Sequence, residues 1–330
     1  MATQKVDQEP GARERQVVRQ RRADRNRRVA AVVTVAVFVA IAAVAFALVR
    51  SDRSVPTTPP SHIPIPQANG AMVDLGTGKT TPLPANIATS GDYFAVSPNH
   101  TMVAYSACCS TYSPLFTANI DGTHVSQVSP SGEDALAAQW SPDGSMLVYQ
   151  QRPNNGEYLG NLFVLNAATG QRTRITSVDQ THQWGYWAML PSFSADGKTI
   201  LFQLPRGHIA PDNNRSEDLW SVPISGGKQT LVRHNAESGS YSPDGRWLAY
   251  VGSQGNQLWL TSLQGGTPRR LAQGDLGWLR WSPDSTRISY SDGGSIYVLN
   301  VDTGLARKVA EGGNSEWFDS NTLVVAHPPS

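Results

Sequence analysis

From residue 70 onward, apolar residues come in short runs separated by turn-forming residues. Leu162-Phe163-Val164-Leu165-Asn166 and Ile296-Tyr297-Val298-Leu299-Asn300 are typical, and each is closed by a Thr-Gly pair, Thr169-Gly170 and Thr303-Gly304. Runs of this length, rich in β-branched and aromatic residues, predict strands, and the pairs between them predict hairpins. A second kind of punctuation recurs: Ser141-Pro142-Asp143-Gly144, Ser194-Ala195-Asp196-Gly197, Ser242-Pro243-Asp244-Gly245 and Ser282-Pro283-Asp284-Ser285. An aromatic precedes each copy (Trp140, Phe193, Tyr241, Trp281), and an apolar run such as Met146-Leu147-Val148-Tyr149 follows it. Pro sets φ at the second turn position, Asp suits the third, and Gly supplies the left-handed position after it. The aspartates are therefore expected to hold turns rather than to do chemistry.

The starting serines lie 53, 48 and 40 residues apart. Two hairpins per unit make four strands, and a repeat of that period is one blade of a β-propeller. Val96-Ser97-Pro98-Asn99-His100 is a degenerate first copy, 44 residues before Ser141. Trp317-Phe318-Asp319-Ser320-Asn321 opens a sixth unit, followed by the strand Leu323-Val324-Val325-Ala326. That unit lacks half a blade. The start of the domain supplies it, with a strand at Ala71–Leu75, a turn at Gly76-Thr77-Gly78 and a strand at Thr81–Leu83. The expectation is an all-β, six-bladed propeller over residues 70–330 whose last blade is composite, which ties down both chain ends and leaves no unpaired edge between them.

Over roughly residues 70–330 these units resemble the WD-repeat-like units of the TolB family of six-bladed bacterial envelope propellers. The resemblance implies a bacterial extracytoplasmic setting and a binding rather than catalytic role. TolB itself carries an extra N-terminal domain. This chain has no room for it before residue 70, and a membrane anchor is expected there instead.

Val29 to Val49 is an apolar run of 21 residues with Thr34 its only polar member, long enough to span a bilayer as a helix. Ala45-Phe46-Ala47 also matches a cleavage signal, so a cleaved leader stays open beside the anchor. Residues 1–28 carry nine basic and four acidic side chains, and only Arg50, Asp52 and Arg53 follow the apolar run closely. This bias places the tail in the cytoplasm and the propeller outside, at the bacterial plasma membrane. The overall charge of +1 hides the asymmetry, because residues 29–330 hold 18 basic and 22 acidic groups. The tail is read as a topology and lipid-contact signal, not as a nucleic-acid site. Residues 50–69 contain five prolines and form a stiff spacer.

Candidate chemistry is sparse. There is no Gly-x-Ser-x-Gly elbow, no phosphate-binding glycine loop, no metal-ligand spacing among the seven histidines and no calcium loop. No cofactor or metal is expected. Cys108 and Cys109 are adjacent, and either a vicinal disulfide or two thiols is open. Asp134, Asp179, Glu237 and Asp275 fall in connections between blades, which keeps a lactonase-type channel of acids in view. The long loops lie between second and third strands and between blades, on one face of a propeller. They are longest in the first three blades and hold Tyr112, Arg152, Tyr158, His182, Trp184, Tyr186, Trp187, Arg206 and His208. Aromatic and Arg-rich loops on a rigid scaffold suit recognition of a protein or a glycan. The expected function is a membrane-anchored, non-enzymatic binding propeller. The alternatives are a sensor signalling through the basic tail and a lactonase-type enzyme.

Overall fold

A computed structural model describes residues 70–83, 93–106, 112–152, 160–177, 189–205, 217–252 and 256–326. They form six four-stranded antiparallel sheets. Blade 1 contains β3 (Phe94–Val96), β4 (Met102–Ser106), β5 (Leu115–Asn119) and β6 (Ser126–Gln127). Blade 2 contains β7 (Asp134–Trp140), β8 (Met146–Arg152), β9 (Asn161–Asn166) and β10 (Arg172–Arg174). Blade 3 runs through β11 (Met189–Phe193), β12 (Thr199–Pro205), β13 (Glu217–Pro223) and β14 (Thr230–Arg233). Blade 4 comprises β15 (Ala236–Tyr241), β16 (Trp247–Gly252), β17 (Gln257–Ser262) and β18 (Arg269–Gln273). Blade 5 comprises β19 (Leu276–Trp281), β20 (Arg287–Asp292), β21 (Ser295–Asn300) and β22 (Ala306–Glu311). The innermost strand of each blade touches that of the next, and β23 (Asn314–Asp319) of blade 6 touches β3, so the ring closes.

Blade 6 is composite. β23 and β24 (Thr322–Ala326) come from the end of the domain, and β1 (Gly70–Asp74) and β2 (Thr80–Pro82) from its start. β1 lies antiparallel to β24, from Gly70 opposite Ala326 to Asp74 opposite Thr322. Gly70 thus sits at the end of the blade farthest from the β23–β24 turn.

The central residues of the second strands are buried on both sheet faces, as at Leu147–Gln150 of β8 and Ile200–Gln203 of β12. In β8, Leu147 packs toward blade 1 and its neighbour Val148 toward blade 3. Six apolar clusters fill the six interfaces between blades, the last joining Val324 to Phe94, Val103 and Tyr105. The aromatics ahead of the turns anchor these interfaces. The indole N–H groups of Trp140, Trp281 and Trp317 donate to the carbonyls of Ala95, Ser240 and Arg280 in the preceding blade, at 3.3, 3.0 and 3.1 Å.

Among the described residues no helix is long and apolar enough to cross a membrane. The segment 29–49, the tail, the spacer and Cys108-Cys109 lie outside those residues.

Candidate functional site

The Ser-x-Asp turns are the lower frame of the site. In blade 2 the Ser141 hydroxyl donates to Asp143 Oδ1 at 2.6 Å and accepts from the Met146 N–H at 2.9 Å. The same carboxylate oxygen accepts the Ser145 N–H at 3.0 Å. Blades 3, 4 and 5 repeat this with Asp196, Asp244 and Asp284, and Asn99 replaces the aspartate in blade 1. The hydrogen bond from Ser141, then those from Ser145, hold the Asp143 carboxyl below the usual carboxylate range. Burial pushes the Asp284 carboxyl up, but hydrogen bonds from Ser282 and Thr286 outweigh it and lower it too. All four carboxylates are spent on the turns. Gly144, Gly197 and Gly245 take φ of 71°, 68° and 70°, and Ser285 and His100 take the same position at 60° and 59°. Each turn leans on the one before it, and His100 closes the circle with its ring 5.0 Å from Phe318 of blade 6.

Inside this collar lies a cavity of about 340 Å³. Pro98, Pro142, Ala195, Pro243, Pro283 and Phe318 form its mouth, one from each blade. Edges of Trp140, Phe193, Tyr241, Trp281 and Trp317 form the wall. Deeper in are Gln139, Ser192, Ser240, Arg280 and Glu316, each one residue before the aromatic of its blade. Four innermost strands carry a register shift just upstream of these polar residues, with Ala137, Leu190, Ser238 and Trp278 at φ of 52°, 47°, 49° and 53°. Left-handed backbone at non-glycine residues is costly and concentrates where geometry serves a site. A bulge re-aims the side chains that follow it, here the ring of polar residues at the channel.

Arg280 closes the channel. Its Nε donates to Glu316 Oε2 in the next blade at 3.1 Å. With the Gln139 amide oxygen facing it, Arg280 Nε and Nη2 also reach that oxygen at 3.1 and 3.2 Å, and the Gln139 amide nitrogen donates to Pro191 O at 3.0 Å. Gln139 belongs to blade 2 and Arg280 to blade 5, opposite one another in a ring of six, so this contact crosses the channel. Arg280 lies over the Trp278 ring at 5.0 Å, and Trp278 meets Tyr93 of blade 1 at 5.1 Å between ring centroids. Burial pushes the Glu316 carboxyl above its usual range, and the Arg280 charge opposes that shift. The Ser192 and Ser240 hydroxyls are 3.4 Å apart. The cavity is a cup open on the turn face and floored by a compensated ion pair.

The sequence reading assigned this face to turns alone and placed recognition on the opposite one. Two of its candidates are described. Tyr112 is exposed, and Arg152 is half-buried in an ion pair with Asp134 at 3.5 Å. Tyr158, His182, Trp184, Tyr186, Trp187, Arg206 and His208 lie outside the described residues, as does Asp179. Among the described residues no three acidic, His or Cys side chains group as metal ligands, so Asp134, Glu237 and Asp275 are not brought together. Sequence reasoning missed Gln139, Ser192, Ser240, Arg280 and Glu316. Their shared offset before the aromatic was the available signal.

No family model matches the chain. A curated relative, an uncharacterized protein of Agrobacterium fabrum, is 24% identical over 186 residues, which cover 53% of this chain and 58% of that protein. Among solved structures, a TolB from Agrobacterium tumefaciens superposes with a TM-score of 0.60 at 17% identity, covering 79% of this chain and 98% of that one. TolB from Acinetobacter baumannii gives 0.52 at 17% identity over 74% of this chain and 67% of its own. An oligogalacturonate lyase from Vibrio parahaemolyticus gives 0.51 at 11% identity over 80% and 98%. The chain has a TolB-like six-bladed propeller fold. The same fold carries proteins of different function, so function has to be argued from the site.

Proposed function

We propose that this chain is a membrane-anchored extracytoplasmic propeller that binds a partner or envelope ligand and catalyses no reaction. The observation that carries this reading is the cup itself, a cavity of about 340 Å³ whose mouth takes one residue from each blade. The chemistry of the cup also supports binding. Its carboxylate is engaged by Arg280, its amide bridges two blades, and the turn aspartates are consumed by their own hydroxyls and N–H groups. The anchoring half of the reading rests on the apolar run 29–49 and the charge bias around it.

The test is protease treatment of intact spheroplasts followed by fractionation. The propeller should be digested from outside while the remainder stays with the membranes. Full protection of the propeller, or recovery of a secreted form beginning after Ala47, would defeat the anchored arrangement.

A further inference from the structure

The cup's polar groups specify its ligand more narrowly than the proposed function does. Arg280 and Glu316 sit 3.1 Å apart, so the floor carries both charges with no excess of either. An anion reaching Arg280 meets Glu316, and a cation reaching Glu316 meets Arg280. What the pair offers together is a donor beside an acceptor, which suits hydroxyl or neutral amide groups. Ser192 and Ser240 add two hydroxyls that can each give and receive.

The cup offers recognition through side chains set in a ring, under a collar of prolines and aromatic edges. A ring-shaped polyol matches that arrangement, with hydroxyls toward the floor and C–H faces against the collar. The volume of about 340 Å³ lies near the lower end of small-molecule sites, enough for one or two rings.

We propose that the cup floored by Arg280, Glu316 and Gln139 and flanked by Ser192 and Ser240 binds the terminal unit of an uncharged saccharide. This rests on the binding role proposed above and names the ligand class of the same cavity.

The experiment uses the full-length purified chain and three probes: N,N′-diacetylchitobiose, which is neutral, digalacturonate, which is anionic, and glucosamine, which is cationic. Saturation-transfer NMR and calorimetry read binding. The neutral disaccharide should bind saturably at millimolar concentration or below, and the charged sugars at least about tenfold more weakly. Ser192→Val and Ser240→Val fill the cup without touching the ion pair, and each should weaken the neutral sugar about tenfold with an unchanged unfolding midpoint. Equal or tighter binding of either charged sugar, no saturable binding of the neutral one, or full retention of affinity in both folded variants would overturn the proposal. The assay needs no membrane, so saccharide binding by a chain that fails the spheroplast test would refute the anchoring and leave the site standing. Correct localisation without sugar binding would do the reverse.

Discussion

The composite blade makes the sharpest prediction. Val73 is 5% exposed and packs with Leu323 and Val325, both fully buried, in the cluster between blades 5 and 6. Leu75 joins that cluster, and Leu83 packs on the other side against blade 1. Removing residues 1–83 exposes the far edge of β24 and empties these three positions. Burial of such side chains stabilises by about 1.5–3 kcal/mol each, so about 5–9 kcal/mol is lost before any backbone pairing is counted. That approaches the whole stability of a typical domain, roughly 5–15 kcal/mol. The expected result is a domain that unfolds or self-associates through the bared strand. A milder probe, Val73→Asp in the full chain, places a carboxylate in the same cluster and should lower the denaturant midpoint sharply. Removing residues 1–69 only, which spares β1 and β2, should leave the midpoint unchanged. Denaturant unfolding with size-exclusion chromatography compares all three. A monomeric 84–330 fragment with the midpoint of the 70–330 form would refute the closure.

The depressed carboxyls of Asp143, Asp196, Asp244 and Asp284 give a pH prediction: their stabilisation is present above the ordinary carboxylate pKa and is lost as pH falls through the lowered folded values. Unfolding midpoints from pH 5 downward should therefore drop in the wild type and drop less steeply in Asp143→Asn, with equal slopes counting against the turn role. Gly239 has no room for a methyl group, since a Cβ there would lie 2.5 Å from Leu219 Cδ1, and Gly239→Ala should cost about 1–3 kcal/mol of overpacking by denaturant titration. Trp281→Ala removes an interface aromatic and the hydrogen bond it gives the Ser240 carbonyl, for an expected loss of about 3–5 kcal/mol, whereas a surface role would leave the midpoint alone. Trp184→Ala and Trp187→Ala test the long-loop face: weakened partner pull-down at unchanged stability would assign them to recognition, and parallel loss of both would assign them to packing.

Much of the architecture was legible along the chain because it is written in local terms. A Ser-Pro-Asp-Gly turn is built from hydrogen bonds spanning two to five residues, so its spacing reveals each hairpin, and four copies reveal the blade. The half-blade left over at residues 317–326 and the matching strands and turn at residues 71–83 then required a composite closure, which the β1–β24 pairing bears out. The face of the propeller that holds the cup was not legible in the same way. Gln139 and Arg280 are 141 positions apart, in opposite blades, and only a closed ring of six brings them within 3.2 Å. No periodicity marks such a contact, and a Gln, two Ser, an Arg and a Glu at equivalent positions share no chemistry that a repeat would display. Sequence specifies the turns because their partners are near neighbours. The tertiary ring decides the cup because its partners are neighbours only across the channel.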